Sequence, residues 1–129
     1  MAGIDESRTF YPLNIAVLTV SDTRTAADDT SGDTLAERVT GAGHTLAARA
    51  LLPDDVEAIA AQMRAWVADV GIDAILSTGG TGFSSRDVTP EATLGVLDRE
   101  VPGIAEALRT SGLAAGSTDA GLSRGLAGI

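Results

Sequence analysis

The chain alternates short, continuous apolar runs with longer stretches whose apolar positions recur at helical spacing. Residues 13–20 (LNIAVLTV) are apolar at nearly every position, as a parallel strand covered on both faces is. Thr30 or Ser31 caps a helix running to about Ala42, with Leu35, Ala36 and Val39 on its inner face, and Gly41 and Gly43 end it. His44 opens a second strand over residues 45–52. After Pro53, one of Asp54 and Asp55 caps a helix over residues 56–70, in which Val56, Ile59, Ala60, Met63, Val67 and Val70 have helical spacing and Trp66 packs on or beside that face. Gly71 stops this helix, and residues 72–76 read as a third, buried strand. Residues 92–99 form a short helix, Val101-Pro102-Gly103 breaks it, and residues 104–110 resume it. From Ser111 onward the periodicity fades. Strand–helix repeated three times predicts one three-layer α/β/α domain over residues 1–129 with a mainly parallel sheet. Residues 1–12 form a polar, loosely held arm.

Composition narrows the chemistry. Aromatic residues make up 3% of the 129, so the core must be built from Ala, Val, Leu and Ile. No cysteine is present, which excludes disulfides, thiolate metal sites and cysteine nucleophiles. All nine cationic side chains are Arg. That removes the lysine-bearing phosphate loop, Schiff-base chemistry and a lysyl–nucleotide intermediate. A net charge of −9 argues against a nucleic-acid partner. No apolar run reaches membrane-span length, and residues 1–13 lack a basic start followed by an apolar core, so no membrane partner is expected and the cytoplasm is the expected location.

Three strand ends carry polar groups, and in parallel α/β sheets that edge binds ligands. They are Ser21-Asp22, Asp54-Asp55, and the stretch STGGTGFSSRDVTPE over residues 77–91. Its glycines, Gly79, Gly80 and Gly82, allow tight turning and several N–H groups converging on an anion. Arg86 and Asp87 follow, then Thr89-Pro90-Glu91, which has the grammar of a helix start with Thr as cap. The plainer reading is a glycine turn that merely links strand to helix. Asp28 and Asp29 read as solvated loop charge or, less simply, as part of a metal site. His44 reads as a packing residue rather than a catalytic one.

At these residues the chain resembles the MoaB/MogA family of molybdenum cofactor biosynthesis proteins, closest to the MoaB branch. The matching stretches are LTVSDTRT (18–25), DDTSGDTL (28–35), AGH (42–44), LLPDD (51–55), STGGTGFSSRDVTPEAT (77–93), DREVPG (98–103) and LSRGLAGI (122–129). The resemblance implies a molybdopterin-binding, MogA-like fold that stops short of the family's final strand, Leu-Pro-Gly loop and helix. It also implies a molybdopterin adenylyltransferase, which moves AMP from Mg-ATP onto the terminal phosphate of molybdopterin and releases pyrophosphate. Under it, Asp54 and Asp87 are the catalytic aspartates and hold Mg²⁺ or orient substrate; Asp55, standing next to Asp54, could substitute for it. Thr78, Gly79, Gly80, Thr81 and Gly82 hold the phosphate end of the pterin. Ser21, Asp22, Ser31 and Gly32 line the nucleotide or pterin pocket, with Arg86 and Ser123 beside it. The expected partners are molybdopterin, ATP, further copies of the chain in a homotrimer or hexamer, and a downstream molybdenum-insertion protein. The alternative is a non-catalytic molybdopterin-binding or scaffold subunit of the same pathway.

Overall fold

The computed structural model describes residues 4–129; residues 1–3, the start of the predicted arm, lie outside the described residues. Three parallel strands form one sheet in the order β2-β1-β3: β1 (Asn14–Val20), β2 (Thr45–Leu52) and β3 (Ala74–Thr78). Because all run the same way, their carboxyl ends share one edge. Helices α1 (Thr30–Gly41), α2 (Val56–Ala68), α3 (Thr89–Leu94) and α4 (Pro102–Ala114) follow in chain order, and a 3-10 turn, Thr118–Leu122, closes the series. Among the described residues no helix is long and apolar enough to cross a membrane.

Strand β1 is central, and its alternation divides the core in two. Ala16, Leu18 and Val20 meet Ile59, Met63 and Trp66 of α2 and Ala92 of α3 on one face. Ile15 and Val17 meet Val39 of α1 on the other. Covered on both sides, the strand can be apolar throughout. Burying a side chain such as Leu18 contributes about 1.5–3 kcal/mol.

Several predicted boundaries shift, each for a local reason. Helix α2 ends at Ala68, so Val70 lies outside it, and Val56 and Val67 face solvent; Ile59, Ala60, Met63 and Trp66 make its buried face. Residues 69–72 turn, with the Ile72 N–H donating to the Asp69 carbonyl at 3.1 Å, and β3 starts at Ala74 rather than Ile72. It is an edge strand, so Leu76 is 40% exposed and the expected full burial is wrong. Gly95 caps α3 after six residues. The segment predicted to continue it instead pairs with the chain's last residues, Val101 N–H donating to the Ala127 carbonyl at 2.8 Å and Arg99 exchanging bonds with Ile129. Pro102 opens α4 instead of breaking a helix, since the first helical position needs no N–H. The arm is held at its inner end: the His44 Nδ1 accepts from the Leu13 N–H at 2.9 Å, and the Phe10 ring lies 5.1 Å from the His44 ring. His44 is a packing residue.

Neither Thr30 nor Ser31 caps α1. Asp29 does, its Oδ1 accepting from the Gly32 N–H at 2.9 Å. Its Oδ2 accepts from the Thr19 hydroxyl at 2.8 Å and pairs with Arg49 Nη2 at 3.0 Å. Arg49 also reaches Asp33 at 2.7 Å. Asp29 is 2% exposed, so it is not the solvated loop charge expected. Burial alone would push its carboxyl up; the Gly32, Thr19 and Arg49 bonds outweigh that and hold it below the usual carboxylate range. A side chain at Gly32 would overlap both Asp29 Oδ2 and Thr19 Oγ1, which makes Gly32 a packing glycine of this junction.

Candidate functional site

The three strand ends are tied together by one carboxylate. Asp22, just past β1, takes Arg86 bidentately, with Nε donating to Oδ2 at 2.9 Å and Nη2 to Oδ1 at 3.1 Å. The same Oδ1 accepts the Asp54 N–H at 2.9 Å. The Arg86 guanidinium and the Asp54 N–H hold the Asp22 carboxyl below its usual range. Asp22, expected to line the pocket, and Arg86, expected beside it, are therefore engaged with each other. Asp54 has the opposite character. Its Oδ1 is buried and accepts no hydrogen bond among the described residues. Burial first, then the Asp22 and Asp87 charges, push its carboxyl up, against a smaller opposing pull from Arg86. The neighbouring Asp55 carboxylate accepts from the Glu57 N–H at 3.0 Å and caps α2. Asp55 is engaged there as the cap of α2, whereas Asp54 is not.

The glycine stretch is oriented by its carbonyls. The Thr89 hydroxyl donates to the Gly79 carbonyl at 2.9 Å, and the Thr89 N–H donates to that of Gly80 at 3.1 Å. The Arg124 N–H donates to the Thr81 carbonyl at 2.8 Å, and Arg124 Nε donates to that of Gly82 at 2.8 Å. Four successive carbonyls are thus taken. In a planar trans peptide the N–H points opposite to its carbonyl. The N–H groups of Gly80, Thr81, Gly82 and Phe83 consequently face away from Thr89 and Arg124, and among the described residues they donate to nothing. Thr89 is not the cap of α3, as its spacing suggested; Val88 holds that position and Thr89 lies inside the first turn. Asp87 folds back on the loop, Oδ2 accepting from the Ser84 N–H at 2.9 Å.

Gly79 and Gly80 have φ of 92° and 71°, a region that L side chains enter at a cost. A β-carbon at Gly80 would overlap the Thr89 hydroxyl and lie 3.0 Å from Asp54 Oδ1; one at Gly82 would lie 2.8 Å from Asp87 Oδ2. The bare α-carbons therefore face the two acids. Gly80→Ala is expected to cost about 1–3 kcal/mol from overpacking. Gly103→Ala, where an added β-carbon meets nothing within 4 Å, should be neutral or slightly stabilising. Urea unfolding of both variants checks the contrast.

Two cavities share Thr78 and Gly79 as a wall. The larger, about 290 Å³, also takes in Thr81, Ser123, and Leu108 and Arg109 of α4. The smaller, about 180 Å³, takes in Ser21, Arg24, Asp29 and Ser31. Of the expected site residues, Gly32 is buried in the first turn of α1, while Asp22, Asp54, Gly80, Gly82, Arg86 and Asp87 cluster where the strand ends meet the loop and border neither cavity. The Ser123 hydroxyl reaches the Thr81 hydroxyl at 3.2 Å. Sequence reading missed Arg109, which donates to the Ser123 and Gly125 carbonyls at 3.2 and 2.8 Å, and nothing in its spacing signals that. In the sequence Ser123-Arg124 stands out as a polar pair in an apolar tail, but nothing there marks Arg124 as a loop anchor.

The site suits a divalent cation shared with a ligand. Among the described residues no three His, Cys, Asp or Glu side chains are grouped to hold a metal by themselves. An unpartnered carboxylate oxygen on Asp54, crowded by like charge, is nonetheless what a hard cation satisfies, with remaining ligands from phosphate or water oxygens.

Comparison with known proteins places the chain among its relatives. A family model described as a probable molybdopterin binding domain matches residues 16–127. The chain is 41% identical over 123 residues to molybdenum cofactor biosynthesis protein B of Escherichia coli (strain K12), covering 95% of this chain and 72% of that protein. A crystal structure of a molybdopterin biosynthesis protein from Mycobacterium abscessus superposes with a TM-score of 0.81 at 44% identity, covering 92% of this chain and 75% of that one. A crystal structure of a molybdenum cofactor biosynthesis protein B gives 0.86 at 35% identity, covering 95% and 76%.

Proposed function

This chain belongs to the MoaB/MogA family of molybdenum cofactor biosynthesis proteins, and from that membership we propose that it adenylylates molybdopterin with Mg-ATP. The observation that carries this reading is Asp54: a buried, unpartnered carboxylate oxygen beside Asp22 and Asp87, against a loop with four free N–H donors. A protein without lysine or a dense basic patch must otherwise meet phosphate charge with backbone amides and a cation. Asp54 and Asp87 would hold the Mg²⁺ that accompanies the nucleotide. When bound, that ion offsets the charge on the phosphates and on the departing pyrophosphate.

The chain's own part is positioning. The Gly80–Phe83 N–H groups hold phosphate oxygens, and Thr78, Thr81 and Ser123 line the larger cavity where the pterin would lie. Ser21 and Ser31 line the smaller cavity, which would take part of the nucleotide or pterin. An oxygen of the molybdopterin phosphate attacks the α-phosphorus of ATP, the bond from that phosphorus to the bridging oxygen breaks, and pyrophosphate leaves. Holding two polyanions in line is most of the catalysis such a transfer needs. A non-catalytic binding subunit would hold molybdopterin and leave ATP intact. Pyrophosphate release from Mg-ATP, measured with and without added molybdopterin, separates the two: dependence on molybdopterin supports the transferase, and its absence with molybdopterin bound supports the binder.

A further inference from the structure

We infer that Arg124 and Thr89 are positioning residues that build the anion-binding face of the glycine loop by taking its carbonyls, Arg124 setting the half that ends at Asp87 and Thr89 the half that begins at Gly79. A β-carbon at Gly80 or Gly82 would crowd the Asp54 or Asp87 carboxylate, and glycine by itself leaves the peptide planes free to rotate. What fixes them is external. Arg124 spends its backbone N–H on Thr81, Nε on Gly82 and Nη2 on the Asp87 carbonyl at 2.8 Å, and Nη1 pairs with Glu91 at 2.6 Å. One residue thereby clamps both ends of residues 81–87 and ties them to α3. Thr89 is 2% exposed, and its hydroxyl and N–H secure the Gly79 and Gly80 carbonyls from beneath. If either clamp is released, a peptide can flip and present a carbonyl oxygen where an anion needs a donor.

This inference rests on the phosphate-holding role assigned to the loop, and the test keeps the two separate. Amide hydrogen exchange is followed in the ligand-free protein at Ser84, Arg86, Asp87, Thr89 and Arg124, whose N–H groups are hydrogen-bonded in or against the loop, and calorimetry measures binding of inorganic pyrophosphate with Mg²⁺. Arg124→Gln and Arg124→Lys should each raise exchange at Ser84, Arg86 and Asp87 by about tenfold or more, the scale of losing hydrogen bonds to a charged group. Exchange in β1 should be unchanged. Pyrophosphate should bind about tenfold more weakly to both, because a lysine keeps the charge but not the planar fork that reaches two carbonyls at once. Thr89→Val should raise exchange of the residue 89 N–H, which donates to the Gly80 carbonyl, and weaken pyrophosphate binding, and Thr89→Ser, which retains the hydroxyl, should restore parental exchange and binding. Parental loop exchange in Arg124→Gln overturns the inference. So does parental pyrophosphate affinity in Arg124→Lys with weakened affinity in Arg124→Gln, which would make the charge alone responsible. A parent protein that binds no pyrophosphate would instead sink the phosphate role of the loop, while the exchange data would still decide whether Arg124 and Thr89 order it.

Discussion

Asp54→Asn is expected to lower turnover by ~100-fold or more, a loss of ~3 kcal/mol of transition-state stabilisation, while raising the melting temperature. The two directions come from one feature. In the free protein Asp54 Oδ1 is buried without a donor, and the neighbouring Asp22 and Asp87 charges push its carboxyl up. A carboxyl whose folded pKa is raised binds its proton more tightly in the native than in the unfolded state. Stability therefore falls as pH climbs from the ordinary carboxylate value of 3.8 through the higher folded one, and the full penalty is present above both. Asparagine removes that penalty and also the charge a cation needs. Mg²⁺ with ATP should raise the melting temperature of the parent and have little effect on the variant. Asp55 is not expected to rescue the loss, being engaged as the cap of α2. Asp87→Asn should lose turnover on the same scale but without the gain in stability, since Asp87 Oδ2 already serves the Ser84 N–H. Turnover, melting temperature and the Mg²⁺ shift on one preparation check all three; a folded Asp54→Asn variant with parental turnover removes Asp54 from the mechanism.

The largest loss of stability is expected at Asp29→Ala, about 2–4 kcal/mol, the cost of leaving the buried Gly32 N–H and Thr19 hydroxyl without their acceptor. Three groups lose their acceptor together: the Gly32 N–H, the Thr19 hydroxyl and Arg49. Arg49 retains Asp33, which favours the lower end of that range. In the parent this contribution is complete above the ordinary carboxylate pKa and is lost as pH falls through the lowered folded value of Asp29. The acid limb of the stability curve should therefore flatten in the variant. Urea unfolding at neutral and acid pH measures both effects; a neutral-pH loss below about 1 kcal/mol, the typical cost of a helix cap alone, would show that the pair contributes little.

Local signals carried the fold well wherever one residue's neighbours decide its state. An uninterrupted apolar run identified β1 because both of its faces are covered, and β2 was bounded by Gly43 and Pro53. Signals failed where a distant partner decides. Gly128 and Ile129 pair with residues 98–100 and draw Asp98 and Arg99 out of the helix expected over residues 92–99, and Leu76 reads as core although β3 lies at the sheet edge. The convergence of Asp22, Asp54 and the glycine loop was legible from parallel topology alone. The Asp22–Arg86 pair was not, because it joins residues 64 apart. Asp29 was misjudged because adjacent acids in a polar loop resemble solvated charge, and its partner Arg49 is contributed by β2. Arg124 was noticed for the same reason its role stayed hidden: an isolated cation in an apolar tail has its partners elsewhere in the chain.

Transfer of label from ATP carrying it on the α-phosphate tests the central proposal most directly. Incubated with molybdopterin and Mg²⁺, the protein is expected to place the label on molybdopterin, one equivalent for each pyrophosphate released, and Asp54→Asn is expected to bind molybdopterin without that transfer. Label that stays on ATP while molybdopterin occupies the parent protein would contradict the account and leave a pterin-binding subunit in place of a transferase.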